Sequence, residues 1–538
     1  MYFRKNLTYI SLYVRQVFHF TAMKTSFSVR TFQAPVFPLA NSDEEHNCFL
    51  DLQRLFQQQF AEIWSDDSKP RAVVVVPSLS LDEDMAVKIT GHHHYEERLL
   101  CMLLLLRKPR THLIYVSSHA IDPVIIDYYL HLLPGIPIWH ARQRLILLNC
   151  HDTSPKTLTA KILERPRLLE RIRQAIPTGV AAHLTCFNAT PLERTLAVRL
   201  GIPMYASDPD LLFWGTKSGS RELFKKAGVP LPNGFENLRN EQELILALVA
   251  LKAQNPTLKK AVIKLNDGFS GEGNAVLAFE EIADSSLEAW VRRELPHKIR
   301  FVDTGLTYPQ FIHKLSEMQG IVEEFVEGKI KMSPSVQCRI EPSGKIDIIS
   351  THDQLLGGIS GQVFQGCTFP ANDDYQTELC QMGLKIAEQL REKGGLGRFG
   401  VDFMSVNTPQ GWQHYAIEIN LRKGGTTHPY LMLQFLTDGQ YVPEKRQYLM
   451  PNGQVRYYFA TDNLKKSTYH GLTPQDLMEI MIFHGLHYDS VRQEGVFFHL
   501  MGALSEHGKL GITSIGATPE RAQAFYQKAV EVLDFETT

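Results

Sequence analysis

The chain has 538 residues, 44% of them hydrophobic, with 56 Lys and Arg against 58 Asp and Glu and a formal net charge of -2. That length holds about two to four domains with large buried cores, and the balanced charge argues against a global attraction to nucleic acid or anionic lipid. Seven cysteines without C-x-x-C spacing argue against a disulfide framework or a cysteine zinc site and fit a reducing cytosol, and no apolar run approaches the length of a membrane span.

Residues 1–44 read as an N-terminal extension, disordered or untranslated. Arg4, Lys5, Arg15, Lys24 and Arg30 precede the first acid at Asp43. This bias fits an organellar transit peptide or, by slight preference, a true start at Met23. From Arg71 the pattern alternates. Segments 72–76, 111–116, 145–149 and 181–187 read as strands, and 95–107, 123–133, 158–176 and 191–200 as helices. Strands spaced by helices of this length imply βαβ units and a mostly parallel sheet, so 45–210 is one α/β domain. His92, His93 and His94 read as a partly exposed surface run and not a metal site, because consecutive helical residues point in different directions and no acid or cysteine cluster is visible nearby.

Lys217 opens a helix that stops at Gly228-Val229-Pro230. Strand 261–265 leads through Asn-Asp-Gly-Phe-Ser-Gly-Glu-Gly-Asn into strand 275–279. Gly268, Gly271 and Gly273, with Ser270 among them, let backbone N–H groups approach an anion, and Lys264 adds a point charge. Such a turn is weak evidence taken alone. Segment 320–328 carries Glu323, Glu324, Phe325 and Val326, and can present its backbone to an adenine edge or be a connecting core strand. Further on, period two puts Ser335, Gln337 and Arg339 on one strand face, and His352 and Gln354 on one face of the next. They line a substrate cleft or are buried, hydrogen-bonded groups. Segment 374–393 is a packing helix.

The densest chemistry lies in 397–429. Two β-rich runs, 399–406 and 414–421, flank turn chemistry at 407–411. Alternation puts Glu418, Asn420 and Arg422 on one face with Ala416 behind them, and Ile417, Ile419 and Leu421 on the other. With Asp402 from the partner strand, two acids and an amide oxygen meet a hard cation's needs, and Mg²⁺ is commonly held this way. An edge hairpin with solvated charges is the plainer alternative. Gly425 and His428 follow in the loop leaving that face. Beyond residue 441 come strand 455–460, a helix from Thr473, an apolar run over 495–504 that pairs with 509–515, and a last helix from Thr518, with no chemical motif; His499 reads as core.

The order of these parts resembles the ATP-grasp superfamily, and 333–340 with 349–371 is similar to the pheganomycin-type peptide ligases. The resemblance implies an α/β and α+β multidomain chain: an α/β pre-ATP-grasp domain (45–210), a two-lobed ATP-grasp fold (211–440, lid lobe about 255–328) and a small α+β C-terminal domain (441–538). It implies phosphate contacts at Lys217 and Lys264, a lid loop over 268–274 that includes Gly268, Ser270, Gly271 and Gly273, an adenine hinge at Glu323, Glu324, Phe325 and Val326, and magnesium, or manganese in its place, at Asp402, Glu418 and Asn420. Arg422 would face the transferred phosphate or the acyl intermediate. The family's ribose acid is replaced by Lys329-Ile330, and its arginine two residues before the aspartate by Gly400, so charge neutralisation would lean on Arg422, Lys423 and Arg398. Gln337, Arg339, His352, Gln354, Gly425 and His428 would line the substrate site. The implied activity is ATP-dependent ligation of a small carboxylate to an amine or peptide through an acylphosphate, releasing ADP and phosphate in the cytoplasm. No nucleic acid or membrane is implied, and a homo-oligomer is left open. A non-catalytic ATP sensor and a ligase with a non-amine acceptor are the rival readings.

Overall fold

In the computed structural model, which describes residues 37–64, 66–80, 89–268, 273–279, 286–303, 305–357 and 363–538, three sheets carry the architecture. The first is built from short β-branched runs: β1 (Arg71–Val76), β2 (Thr111–Ser117), β3 (Leu145–Asn149) and β4 (Ala181–Cys186), all parallel in the order β3-β2-β1-β4. Every residue of β1 is buried, as expected of a central parallel strand covered on both faces. The segment read as helix 95–107 is a 3₁₀ helix, His92–Arg107, with Leu99, Leu100, Leu103, Leu104 and Leu106 all buried. The segment read as one helix over 158–176 is two, Leu158–Leu163 and Pro166–Ala175. Pro166 lacks an N–H and its ring obstructs the preceding turn, so it opens a second helix and cannot continue the first.

The second sheet holds β5 (Gly234–Leu238), β6 (Lys260–Leu265), β7 (Asn274–Ala278), β8 (Arg300–Phe301) and β9 (Gly320–Glu324), antiparallel in the order β5-β9-β6-β7-β8. Leu244, Leu248, Trp290 and Phe311, from three helices, pack against Ile263 and Val322 to give this lobe its own core.

The third sheet positions the chemistry. Its strands are β10 (Lys331–Ile340), β11 (Ile346–Gly357), β12 (Val363–Phe369), β13 (Gly397–Thr408) and β14 (Gly411–Asn420). After a small ribbon of β15 (Gln440–Val442) and β16 (Gln447–Leu449) come β17 (Tyr457–Lys465), β18 (Gly495–His499) and β19 (Lys509–Gly516). The order is β14-β13-β10-β11-β12-β17-β19-β18. The segment read as a small C-terminal domain therefore extends the same sheet, joined where Cys367, Thr368 and Phe369 pair with Ala460, Phe459 and Tyr458. The helix Gln376–Glu392 buries Leu379, Ile386 and Leu390 in a core shared with Val336 and Val401.

Strict alternation fails at the hairpin that matters, as it also does in the β10–β11, β11–β12, β17–β19 and β5–β9 pairs. The β13–β14 register shifts between Asp402 and Phe403, so that Asp402 faces Glu418 while Phe403 faces Ala416, leaving Ile417 as the extra residue of a bulge. Ala416 consequently does not stand behind Glu418; it joins Ile419 in the core. Among the described residues no helix is long and apolar enough to cross a membrane.

Candidate active site

Pairing of β13 with β14 sets Asp402 opposite Glu418 and Gly400 opposite Asn420. Asn420 Nδ2 donates to Asp402 Oδ2 at 2.8 Å, and Gln354 Nε2, from β11, donates to Asp402 Oδ1 at 2.8 Å. Burial and then the Glu418 charge push the Asp402 carboxyl up to about 6. Glu418 behaves oppositely. Burial raises it, but the ammonium of Lys217, with which it forms an ion pair, together with Lys264 and Arg422 brings it below its usual value. Two adjacent carboxylates with an amide alongside form an oxygen donor set suited to a divalent hard cation.

Lys217 is delivered by the helix Lys217–Ala227, whose N-cap Thr216 accepts from Gly219 N–H at 3.0 Å. Glycine is required at 219, because a Cβ there would lie 1.9 Å from the Phe213 carbonyl oxygen. Ser218 donates its N–H (3.0 Å) and hydroxyl (2.7 Å) to Asn266 Oδ1. The end of β6 is thereby tied to the helix start, and the glycine-rich turn begins beside Lys217. Gly268 stands at the start of that turn and Gly273, with φ of 80°, at its return, while Ser270 and Gly271 lie outside the described residues. Asp267, which the sequence reading passed over, shares the electrostatic field of Lys217 and Glu418, with burial raising its carboxyl. Its only sequence signal was its place next to Gly268.

Lys264 is ion-paired with Glu323, whose other oxygen takes Arg221 Nη1 at 2.9 Å. Glu323 is buried and its carboxylate is fully engaged by these two cations. In the adjoining hinge, Glu324 N–H donates to the Asn233 carbonyl at 2.8 Å and Phe325 N–H to that of Lys260 at 3.1 Å. The Phe325 ring lies beneath Lys331 and Lys260, 4.6 and 5.4 Å from its centroid. Val326 follows, half-buried.

On the opposite flank Arg422 lies within the field of Glu418, Asp402 and Arg98, with burial as the chief influence lowering it. Arg98, from the first 3₁₀ helix, is ion-paired with Asp462 of β17, both side chains nearly buried. A Cβ on Gly425 would lie 3.4 Å from the Phe364 ring and 3.6 Å from Asp462 Oδ2, so this ion pair borders the loop after Asn420. Sequence reasoning missed the pair, whose members are 364 residues apart. His428 is buried beneath that loop, its Nε2 2.8 Å from Tyr129 OH and its ring stacked on His499 at 4.3 Å.

The structure does not bring Lys423 and Arg398 into the acid cluster. Lys423 Nζ donates to the Cys186 carbonyl at 2.6 Å and to Thr185 Oγ1 at 3.2 Å, at the end of β4. Arg398, pushed down by burial to about 10, lines with Lys423 a cavity of about 240 Å³ among Trp64, Met102 and Phe435. Arg339 borders the same cavity and is ion-paired with Asp347 (2.6 Å) and Glu341 (3.0 Å). Gln337 fills the space over Gly400, where a Cβ would meet its amide nitrogen at 2.7 Å. His352 is fully buried, 2.6 Å from Tyr458 OH through Nε2, and burial pushes it down to about 3.

A family profile described as "IQCH-like, ATP-grasp" matches residues 211–302 and 300–442, and one described as "PGM1 C-terminal domain" matches 476–529. The chain is similar to L-propargylglycine--L-glutamate ligase of Streptantibioticus cattleyicolor, 32% identical over 439 residues that cover 80% of this chain and 86% of that protein. It is 23% identical over 400 residues to IQ motif-containing protein H of Danio rerio, covering 66% of this chain and 38% of that one. Among solved structures, biotin carboxylase of Campylobacter jejuni matches with a TM-score of 0.52 at 12% identity, covering 87% of this chain and 94% of that chain, a likeness of fold.

Proposed function

We propose that this chain, which belongs to the ATP-grasp superfamily and within it to the family of the pheganomycin-type ligases, joins the carboxylate of one small molecule to the amine of another through an acylphosphate, forming a peptide bond. It is an ATP-dependent ligase. The observation that carries the finer reading is the cross-strand pairing of Asp402 with Glu418, with Asn420 hydrogen-bonded to the first and Lys217 ion-paired with the second.

Asp402, Glu418 and Asn420 would hold Mg²⁺, which would neutralise charge on the terminal phosphates of ATP. Lys217 and Lys264 would contact the phosphates, each exchanging part of its present carboxylate contact for a phosphate oxygen. Phe325 and Val326 would pack on the adenine. Arg422 faces the position where charge builds during transfer. A carboxylate oxygen attacks the γ-phosphorus and ADP leaves; the amine then attacks the acyl carbon, phosphate leaves, and one proton is released. Positioning and charge neutralisation account for this chemistry without a protein nucleophile. The relative's name gives two amino acids, L-propargylglycine and L-glutamate, and the same class of substrate is read here.

The test is release of ADP and phosphate from Mg-ATP in the presence of pooled amino acids and short peptides, beside Glu418→Gln. Release that depends on the pool and is absent from the variant is expected. A fully active Glu418→Gln protein, or AMP as the product, would overturn the reading.

A further inference from the structure

We propose that His93, His94 and His119 form a binding site for one Zn²⁺ ion, separate from the acid cluster. One ligand nitrogen from each of the three lies within 4.8 Å of the others. The rings of His93 and His94 are 4.2 Å apart, and His119 stands 5.1 and 5.3 Å from them, roughly perpendicular to both. The chain makes this possible in two ways that sequence spacing hides. His93 and His94 lie in the first turn of the 3₁₀ helix that follows Gly91, whose φ is 67°. His119 comes from the turn after β2 and closes the group from the far side.

The surroundings are those of ligands held in place. His94 Nδ1 is 3.2 Å from Glu97 Oε1, and the other Glu97 oxygen accepts the Gly502 N–H at 3.1 Å. A histidine whose Nδ1–H is given to a carboxylate presents its Nε2 lone pair outward, the arrangement that orients metal-binding imidazoles. Gly502 has no room for a side chain: a Cβ would fall 2.1 Å from Glu97 Oε1 and 2.4 Å from His94 Nδ1. The loop after β18 is therefore shaped to the Glu97–His94 pair. His119 Nδ1 is buried and has no hydrogen-bond partner among the described residues. The nearby Lys161 ammonium is occupied by Ser118 Oγ (3.0 Å) and the Asp152 carbonyl (2.9 Å). Three imidazoles without thiolates favour a borderline cation such as Zn²⁺ over Mg²⁺, which prefers oxygen.

The full-length protein, made without a histidine tag and stripped with chelator, is titrated with Co²⁺ as a spectroscopic stand-in and then with Zn²⁺. One equivalent of Co²⁺ should give a ligand-field spectrum of a nitrogen-rich site, and one equivalent of Zn²⁺ should bleach it. Affinity should fall about 10–100-fold in Glu97→Gln, the signal should vanish in His93→Asn/His119→Asn, and it should persist in Glu418→Gln. A zinc absorption-edge measurement on the unsubstituted protein, which does not depend on any variant folding, should count three imidazole neighbours. Absence of saturable binding, a signal that survives the double substitution or disappears with Glu418→Gln, or an edge spectrum dominated by oxygen would overturn the proposal.

Discussion

Asp402 and Glu418 are cross-strand partners on β13 and β14, and burial with the Glu418 charge holds the Asp402 carboxyl at about 6. A carboxyl raised above its unfolded value binds more protons folded than unfolded between about pH 4 and 6, so the nucleotide-free protein loses stability as pH rises through that window. A shift of this size is on the order of 1–3 kcal/mol. Asp402→Asn should therefore raise the melting temperature near pH 7, leave it nearly unchanged near pH 4, and abolish turnover. A wild-type to variant difference in melting temperature that does not change with pH would argue against a carboxyl destabilised by its neighbour.

Gln354 acts through Asp402, to which it donates at 2.8 Å. Removing the donor in Gln354→Ala should raise the Mg²⁺ concentration for half-maximal rate about 10–100-fold, with little change in the limiting rate at saturating Mg²⁺. Initial rates across a Mg²⁺ titration decide this; an unchanged titration with a lower plateau would assign Gln354 to the substrate instead.

Glu323 holds two buried cations, Arg221 and Lys264. Glu323→Ala leaves both without their carboxylate and should destabilise the protein by about 3–5 kcal/mol, read by urea unfolding. Phe325→Ala should raise the KM for ATP with a much smaller loss of stability. Were Glu323→Ala as stable as wild type, its carboxylate would have to be reassigned to the nucleotide.

Arg422 and Lys423 are adjacent but placed differently. Arg422→Ala should cost about 10²–10³-fold in kcat while the protein stays folded. Lys423→Met, which loses donors to Thr185 and the Cys186 carbonyl, should lower the melting temperature and change kcat only a few-fold. Equal losses of kcat from both would put Lys423 back at the phosphates.

What could be read from the sequence followed from how local each feature is. The Glu418-x-Asn420 spacing, the Lys217 helix and the Lys264 strand depend on neighbours within a few residues, so strand period and capping were enough. The bulge at Ile417 depends on how β14 meets β13, and it places Ala416 in the core and not behind Glu418. Arg398 does lie an even number of residues from Asp402, but four residues of strand are roughly 13 Å, too far to share one phosphate. The break at Pro166 was missed in reading 158–176 as one helix, although the proline is its local signal. By contrast, the Arg98–Asp462 pair and the meeting of His119 with His93 and His94 join distant segments. So does the continuation of the third sheet through β12 and β17, and no local pattern records it.

The proposed ligation rests on activation of a carboxylate as an acylphosphate at the Asp402–Glu418 site. It is tested most directly by supplying amino acids with heavy oxygen in their carboxylates and weighing the phosphate that Mg-ATP turnover releases. One heavy oxygen per phosphate, dependent on the acceptor amine and absent with Glu418→Gln, is expected. Unlabelled phosphate, or label carried into AMP, would contradict it.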